Sequence, residues 1–445
     1  MSLLLHFLAN PVCLSIIIIT VLSLGKLSVP LALISGTVAA GLFGGMSFDH
    51  LMRVFSAGVA GGVNIALSYA FLGMFAVGLT AVGLPKFLAA KVVSFRDGCS
   101  PKEKVCHAMV FLLLCGVASQ TIIPIHIAFV PIVVPAFLAL FSEACLDRRS
   151  VACVITFGLV ATYNCLPFGF GEIFLREIVL GNLESHGVHL ALSDLGIVKL
   201  TAIPTIGMML GLIFAVCVSY RKPRRYREVG VAIERGHTIS AKAISFGSLS
   251  IVTMIAMQIV FKSMVVGALS GFFVLLLSGV IKWKDSDKIV TRGFGMMATI
   301  GIIMIIASGF SAVLSGTGAV DDLVNTLLAL TSNSTHLTII LMLIVGLIVT
   351  LGIGSSFSTV PILGAIFVPI CQRMGISAES TFIVLAVAGA IGDAGSLVSD
   401  STLGTTTGLN ADGQHDHFKD SVIPTFLHFN IPQLIFGYIA VILFA

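Results

Sequence analysis

GDAGSLVSDSTLGTTTG, residues 392–408, is a polar stretch in a chain that is otherwise strongly apolar. It holds two aspartates, seven serines and threonines, and four glycines. The segments on both sides are apolar and long enough to lie in a membrane, where an acidic side chain by default marks a functional site. No Lys or Arg occurs between Arg373 and Lys419. We therefore expect the counter-charge of Asp393 and Asp400 to be a mobile proton or metal cation.

The composition indicates a protein with many membrane-spanning segments. Of the 445 residues, 57% are hydrophobic and only 10% are charged, whereas soluble proteins have about 25% charged residues. The N-terminal stretch has no basic region and no small-residue cleavage site, so we interpret it as the first span and not as a signal peptide. The net charge of +4 gives no indication of nucleic-acid binding. The bacterial cytoplasmic (inner) membrane is the expected location.

The two halves of the chain share a weak internal repeat. LALISG at 31–36 matches VGALSG at 266–271. Similarly, GVASQTIIPIHIAFVP at 116–131 resembles GIGSSFSTVPILGAIFVP at 352–369. These matches predict a first repeat over 1–220, a basic cytoplasmic linker over 221–242 and a second repeat over 243–445.

The distribution of basic residues indicates that the two repeats are inverted relative to each other. The loop at 86–104 holds five Lys and Arg residues, whereas its counterpart at 321–336 holds none. Loops rich in Lys and Arg stay on the cytoplasmic side, so these two equivalent loops should face opposite sides. Inverted repeats of this kind occur in several transporter folds.

Inversion requires an odd number of membrane crossings in each repeat. Five helices plus a re-entrant hairpin satisfy this condition, and so do seven helices. We favour the first because the segment 105–142 begins and ends near basic residues, although a full helical pair would do the same. The predicted fold is an all-α polytopic membrane protein with two inverted repeats, each of about five transmembrane helices, one of them broken, plus a re-entrant hairpin. The predicted spans are 4–24, 28–46, 57–83, hairpin 105–142, broken 150–182, 197–220, 245–262, 264–282, 293–316, hairpin 337–372, broken 379–408 and 421–444.

Four polar segments interrupt the predicted hairpins and broken helices. Non-helical backbone at bilayer depth persists only where it lines a cavity or is buried in protein, and free half-helix ends there attract ions. The segments are SQT at 119–121, TYNCLPFGFGE at 162–172, GIGSSFST at 352–359 and GDAGSLVSDSTLG at 392–404. The candidates for lining the cavity or binding a substrate are Ser119, Gln120, Thr121, His126, Asn164, Ser355, Ser356, Ser358 and Thr359.

Asp393 and Asp400 are the candidate ligands for sodium or for a proton, with Ser396 as a further oxygen donor. In an unbroken helix, residues seven apart lie about 10 Å apart along the axis, whereas a hard cation needs its oxygens at about 2.4 Å. Either the glycines let the chain fold back or the two aspartates serve different sites. Asp400 also suits the N-cap of a following half-helix. The first-half break, 162–172, contains no aspartate, so the sequence places the cation with the second half.

Three other polar groups have simple structural interpretations. His126 titrates near physiological pH, but a buried histidine bonded to a carbonyl is the commoner case. Glu172 and Arg176 are four residues apart and are expected to pair. HDH at 415–417 is expected to be a solvated loop.

The two second-half motifs also carry a family resemblance. GDAGSLVSDSTLGTTTG, preceded by GIGSSFSTVPILGAIFVP, resembles the paired motifs of the NhaC-like sodium/proton antiporter family. The whole chain is similar to its YuiF-type permease branch, within the ion transporter superfamily. Three positions depart from the family pattern: Ala394 replaces the usual histidine, Ser401 the usual threonine and Leu397 the usual proline. The resemblance implies an inverted two-hairpin fold and cation-site roles for Asp393, Asp400, Ser399 and Thr402.

The leading hypothesis for function is a secondary transporter that exchanges sodium for protons by alternating access. The alternative is a sodium- or proton-coupled importer of a small organic solute such as an amino acid, whose carboxylate would bind half-helix N-termini at the hairpin tips. The expected partners are the lipid bilayer, a monovalent cation and, in the alternative, the solute; a homodimer is compatible with the sequence. An enzyme is disfavoured because the sequence shows no metal-ligand spacing, nucleophile elbow or phosphate loop. We expect no cofactor beyond the sodium ion and the proton.

Overall fold

Helices account for most of the described part of the chain, which contains no β-strand. The computed structural model describes residues 9–25, 27–84, 87, 101–121, 130, 133–227, 240–261, 263–331, 334–397 and 399–444. The principal first-half helices are Pro11–Leu24, Val29–Phe43, Phe48–Gly58, Ala60–Val82, Pro101–Thr121, Leu138–Glu143, Arg148–Cys165, Phe170–Ser185 and Asp194–Ser219. Those of the second half are Ala241–Phe261, Met264–Leu277, Ser286–Gly316, Ala319–Leu330, Thr335–Ile353, Ser356–Arg373, Ala378–Ala390, Asp400–Leu409 and His417–Leu443.

The described helices confirm the predicted all-α polytopic membrane class. Eight of them are long and apolar enough to cross a membrane, and there are up to ten spans if each of two bent pairs counts as one. One bent pair is Arg148–Cys165 with Phe170–Ser185, inclined by 50°, which we call the first broken span. We call Ala378–Leu409 the second broken span. The division into two inverted repeats stays a prediction.

The first broken span changes direction at the sequence Leu-Pro-Phe-Gly. Pro167 cannot donate a helical hydrogen bond, and Gly169 adopts a left-handed φ of +61°, which glycine tolerates best. A side chain at Gly169 would collide with the main-chain oxygens of Gln120 and Thr121. The break is therefore packed directly against the end of helix Pro101–Thr121.

The second broken span is interrupted between Ala390 and Asp400. A short 3-10 turn, Asp393–Gly395, lies in the interruption, and helix Asp400–Leu409 follows it. The prediction that Asp400 is the N-cap is wrong: the cap is Ser399, whose side-chain oxygen accepts the Ser401 N–H at 3.2 Å. Asp400 is the first helical residue, where a negative charge is still stabilised by the helix dipole.

Helices Thr335–Ile353 and Ser356–Arg373 form the second hairpin. They turn at Gly354, which has a φ of +71°, a left-handed conformation that favours glycine. The tip contacts the first broken span, because the hydroxyl oxygens of Ser356 and Tyr163 lie 2.7 Å apart. The tip therefore lies at the level of the break. Residues 122–129 of the first predicted hairpin, which include His126, lie outside the described residues.

A surface helix, Phe48–Gly58, replaces the loop expected between the second and third predicted spans. Its N-cap is Ser47, whose side chain accepts the N–H of His50 at 3.3 Å. Leu51 is buried, whereas Asp49 and His50 are exposed. The apolar Phe48 and Met52 are exposed as well. Exposed apolar side chains beside exposed polar ones are typical of helices that lie along a membrane interface. A span-by-span analysis misses it because the helix is too short and too polar to cross a bilayer.

Candidate functional site

A central cavity of about 50 Å³ lies where the two broken spans, the second hairpin and helix Pro101–Thr121 meet. A water molecule occupies about 10–15 Å³ on this scale, so the central cavity has room for a few waters or an ion. Its lining combines an aromatic wall with carboxylates and hydroxyls. The lining residues are Tyr69, Gln120, Leu159, Tyr163, Phe170, Gly354, Ser355, Ser356, Phe357, Asp393, Asp400 and Ser401.

The Asp393 carboxylate is held by hydroxyl groups from both broken spans. Its Oδ1 accepts a hydrogen bond from Ser399 Oγ, and its Oδ2 accepts one from the Tyr163 hydroxyl. Ser401 Oγ lies 2.8 Å from Ser399 Oγ and extends this network. Asp393 is only 8% exposed, so these hydroxyls replace most of the water that would otherwise solvate the carboxylate.

Asp400 reaches the same central cavity as Asp393. Both carboxylates therefore line one cavity, as the arrangement with a folded-back chain requires; that they share one ion stays a prediction. Within the described residues, neither aspartate forms an ion pair with Lys, Arg or His. Buried charges in proteins are normally paired or bind metals, so the buried Asp393 without a basic partner is an unusual and informative arrangement. Asp400, which lines the same cavity, is exposed.

The second hairpin supplies polar groups opposite the aspartates. Gly354, Ser355 and Ser356 line the central cavity at the point where helix Ser356–Arg373 begins. The first N–H groups of a helix lack helical partners and carry partial positive charge. The hairpin tip therefore favours negative charge on the aspartates.

Six predicted site residues lie outside the central cavity. Ser358 donates to the hydroxyl of Ser355 at 3.0 Å. The other five donate to main-chain carbonyls, as Ser and Thr often do in helices: Ser119 to Gly116, Thr121 to Val117, Thr359 to Ser355, Ser396 to Leu351 and Thr402 to Ser396. Ser396 and Thr402 thus hold the interruption of the second broken span in shape.

Asn164 also lies outside the central cavity. It lines a separate cavity of about 10 Å³ together with Thr201, Thr205 and Gln433. Of the predicted cavity-lining residues, Gln120, Ser355 and Ser356 are the ones that reach the central cavity, where they join Asp393 and Asp400. Ser399 contacts it through Asp393.

Tyr163 and Tyr69 are site residues that the sequence analysis missed. Tyr163 precedes Asn164 within the polar first-half break, so its position offered a signal. Tyr69 lies in the apolar helix Ala60–Val82 and offered none. Its buried hydroxyl has no hydrogen-bond partner among the described residues, and its ring contacts Phe170 and Phe357.

The expected ion pair between Glu172 and Arg176 is absent. Glu172 accepts a hydrogen bond from Gln258 at 2.6 Å, whereas Arg176 pairs with Asp194. The segment Ile173–Leu180 is π-helical, which changes the side-chain spacing on which an i,i+4 pair depends.

A second group of charges joins the ends of both broken spans. We call it the cytoplasmic cluster because the distribution of Lys and Arg in the sequence predicts that side for it. It consists of Asp147, Arg148, Arg149, Arg224, Tyr226, Asp412 and Asp420. The fully buried Arg148 donates to both oxygens of Asp412, at 2.8 and 2.6 Å. Arg224 pairs with Asp420 at 2.6 Å. Burial acts to raise the pKa of Asp412, but the hydrogen bonds and charge of Arg148 outweigh it and hold the pKa below its usual value.

The HDH segment is part of this cytoplasmic region and is not the solvated loop that we expected. His415 is 3% exposed and lies 2.9 Å from the hydroxyl of Ser421. Burial lowers the pKa of His415 to about 4. His417 lies 2.7 Å from the hydroxyl of Thr406. The described residues contain no group of three or more His, Cys, Asp or Glu arranged to hold a metal.

Comparison with known families identifies the group to which these features belong. A model described as the Na+/H+ antiporter family matches residues 154–440, and a model described as the Na+-H+ antiporter family matches residues 10–95. The chain belongs to the Na+/H+ antiporter family. It is therefore a membrane transporter, as the sequence resemblance predicted.

Full-length relatives agree with this assignment. The chain is 44% identical over 440 residues to a membrane protein of Vibrio parahaemolyticus, covering 97% of this chain and 99% of that protein. It is 41% identical over 442 residues to the putative amino acid transporter YuiF of Bacillus subtilis, with the same coverage. The similarity to the YuiF-type branch is thus confirmed.

Two solved transporters share the fold. The YdaH transporter of Alcanivorax borkumensis superimposes with a TM-score of 0.63 at 14% identity, over 89% of this chain and 88% of that one. MtrF of Neisseria gonorrhoeae is described as illuminating a class of antimetabolite efflux pumps. It superimposes with a TM-score of 0.61 at 14% identity, over 88% of this chain and 84% of that one. At this level of identity, the similarity concerns the fold alone.

Proposed function

We propose that this transporter exchanges sodium ions for protons, and that the two ions compete for Asp393 and Asp400. One observation carries the proposal. The buried Asp393 and the exposed Asp400 line one cavity. Among the described residues, the hydroxyls of Tyr163 and Ser399 donate to Asp393, and no basic side chain pairs with either carboxylate. A cavity with two carboxylates that lack basic partners favours any small cation that can enter it.

Competition at this site would couple the two ions. Carboxylate, hydroxyl and carbonyl oxygens are the ligands that hard cations prefer. The central cavity offers carboxylates from Asp393 and Asp400 and hydroxyls from Ser355 and Ser401. A bound proton removes the negative charge that sodium needs, and a bound sodium ion opposes protonation of the same carboxylates. Each ion therefore displaces the other.

Alternating access would carry the site from one side of the membrane to the other. In related transporter architectures, a unit with broken helices moves against a fixed scaffold. Here the moving unit would contain the broken spans and the hairpins. The cytoplasmic cluster joins the start of the first broken span to the end of the second, so it would have to separate when the cavity opens to the cytoplasm.

Coupled import of an amino acid is the second candidate. It is favoured by the 41% identity to a protein named as a putative amino acid transporter. The volume of the central cavity argues against it in this conformation: about 50 Å³ compares with about 300–1,000 Å³ for ordinary small-molecule pockets. An amino-acid substrate would require a substantially larger cavity in another conformation.

Everted membrane vesicles test the proposal. We expect added sodium to dissipate an imposed pH gradient in vesicles with the unmodified chain, and Asp393→Asn to abolish the dissipation. Asp49→Asn, an exposed acid on the surface helix, is the matched control and should behave like the unmodified chain. If no cation dissipates the gradient while a labelled amino acid accumulates, the antiport proposal is wrong and the import candidate replaces it.

A further inference from the structure

A second small cavity, which we call the amide cavity, lies beside the first broken span. Its polar lining consists of Asn164, Thr201, Thr205 and Gln433. Its volume of about 10 Å³ matches one water-sized occupant. Asn164 directly follows Tyr163, the residue that donates to Asp393, so the amide cavity and the central cavity share a helix turn.

Two buried amide side chains in this place have polar atoms without hydrogen-bond partners among the described residues. Asn164 is 7% exposed, and in that part of the chain neither its amide oxygen nor its amide nitrogen has a partner. Gln433 is 1% exposed, and its Oε1 has no partner. More than about 90% of buried polar groups are hydrogen-bonded, and each one left unpaired costs about 1–3 kcal/mol. The two amides therefore indicate that the cavity has an occupant.

The chemistry of the lining favours a cation as that occupant. The hydroxyl hydrogens of Thr201 and Thr205 already bond to main-chain carbonyls, at 2.9 and 2.8 Å. What these hydroxyls present to a ligand is therefore an oxygen lone pair. Together with Asn164 Oδ1 and Gln433 Oε1, the lining offers four neutral oxygens, against one amide nitrogen, Asn164 Nδ2, that also lacks a partner among the described residues. Acceptors therefore outnumber donors in the amide cavity.

The helix geometry adds to this preference. Helix Arg148–Cys165 ends one residue after Asn164, and the C-terminal end of a helix carries partial negative charge. Pro204, which also lines the cavity, cannot donate the helical hydrogen bond to the carbonyl of Leu200. In transporters with broken helices, such half-helix C-terminal ends are the places that coordinate cations.

We propose that the amide cavity binds one monovalent cation through the neutral side-chain oxygens of Asn164, Gln433 and Thr201. This is a second ion site in addition to the aspartate pair, and it does not depend on whether the aspartates perform antiport. The second cation orders the end of helix Arg148–Cys165. It thereby helps to position the adjacent Tyr163 hydroxyl on Asp393.

Thermal unfolding of the purified full chain tests the proposal. The Tm is measured in a variant that combines Asp393→Asn with Asp400→Asn. The sodium concentration is increased by replacing choline chloride with sodium chloride, so that the ionic strength stays constant. A ligand that binds only the folded state raises Tm in a saturable way, so we expect this variant to retain a sodium-dependent rise. Adding Gln433→Leu should remove the rise. Adding Thr156→Val should not, because Thr156 is a buried, unpaired hydroxyl of the same helix that does not line the amide cavity.

Asn164→Asp gives an independent readout if Gln433→Leu prevents folding. It places a carboxylate where the neutral oxygen lies, and cation affinity rises with the charge of the ligands. We expect the sodium concentration at half-maximal stabilisation to fall about tenfold. The proposal is overturned if the aspartate-free variant shows no sodium-dependent rise, if the rise survives Gln433→Leu, or if Asn164→Asp leaves the half-maximal concentration unchanged. Because the central aspartates are neutral in this background, none of these results bears on antiport at Asp393 and Asp400.

Discussion

The central cavity and the cytoplasmic cluster are built from the same broken spans but treat their carboxylates in opposite ways. In the cytoplasmic cluster, Asp412 and Asp420 each pair with an arginine at 2.6 Å. In the central cavity, Asp393 meets only hydroxyl groups among the described residues, and Asp400 faces open volume. One region neutralises its acids with fixed cations, whereas the other leaves them available.

This difference separates a structural role from a transport role. A carboxylate paired with a buried arginine stays ionised, and its pKa is held below the usual value, as for Asp412. Such a group holds two segments together and has nothing to exchange. An unpaired buried carboxylate lowers its free energy by binding a proton or a cation. The predictions below test whether the two regions differ in this way.

The largest expected effect is the loss of exchange in Asp393→Asn. The variant removes the negative charge without changing the size of the side chain. We expect the rate of sodium-dependent proton movement to fall by about 100-fold or more, equivalent to roughly 3 kcal/mol of lost ion stabilisation. Initial rates of gradient dissipation in vesicles measure it. A rate within a factor of two of the unmodified chain would contradict the role of Asp393.

In the cytoplasmic cluster, the expected effect of the corresponding change is on stability. Asp412→Asn leaves the fully buried guanidinium of Arg148 without its counter-charge, and breaking a buried pair from one side costs about 3 kcal/mol or more. Denaturant or thermal unfolding in detergent measures the loss. The double variant Arg148→Met with Asp412→Leu removes both charges and should recover most of it. If Asp412→Asn unfolds like the unmodified chain, the cluster does not hold the two spans together.

Tyr163→Phe should have an intermediate effect on ion binding. The variant deletes one hydrogen bond to the Asp393 carboxylate, and bonds to charged groups contribute about 1.5–3 kcal/mol. We expect the sodium KM of exchange to rise about tenfold, with a smaller change in kcat. Tyr438→Phe is the control, because that hydroxyl contacts His336 and does not line the central cavity. Equal KM values for the two variants would remove Tyr163 from the site.

At neutral pH the smallest expected effect is that of His415, whose contribution to the free energy of unfolding changes only as the pH falls. The pKa of His415 is lowered to about 4 by burial, whereas an unfolded histidine titrates near 6.5. Between these values the unfolded state binds more protons, so stability falls on acidification by about 1.4 kcal/mol per pH unit. His415→Gln should remove this contribution, and Tm should depend less steeply on pH from 6.5 down to 4. An unchanged slope would show that His415 is not buried in its neutral form.

The general architecture and the centre of the site could be predicted from the sequence. Glycine, proline and aspartate in apolar surroundings are local signals, and they correctly indicated both breaks; the functional role of Asp393 and Asp400 stays a prediction. The glycines at the second break also allowed for the chain to fold back. Both aspartates line the central cavity, as that arrangement requires.

The remainder could not be predicted because it depends on contacts between distant segments. The pairing of Arg148 with Asp412 joins two segments that no local pattern connects. The burial of His415 follows from the same packing. Composition alone could not distinguish Ser355, which lines the central cavity, from Thr359, which donates to a nearby carbonyl, because both lie in one polar stretch.

Proton release on sodium binding tests the central claim most directly. Sodium is added to the purified chain in weakly buffered detergent solution, and the released protons are measured together with the bound sodium. Competition at Asp393 and Asp400 predicts about one proton released per sodium ion bound, with apparent sodium affinity weakening as the pH falls. The variant that combines Asp393→Asn with Asp400→Asn should release none. Sodium binding without proton release in the unmodified chain, at any pH at which it transports, would contradict the account.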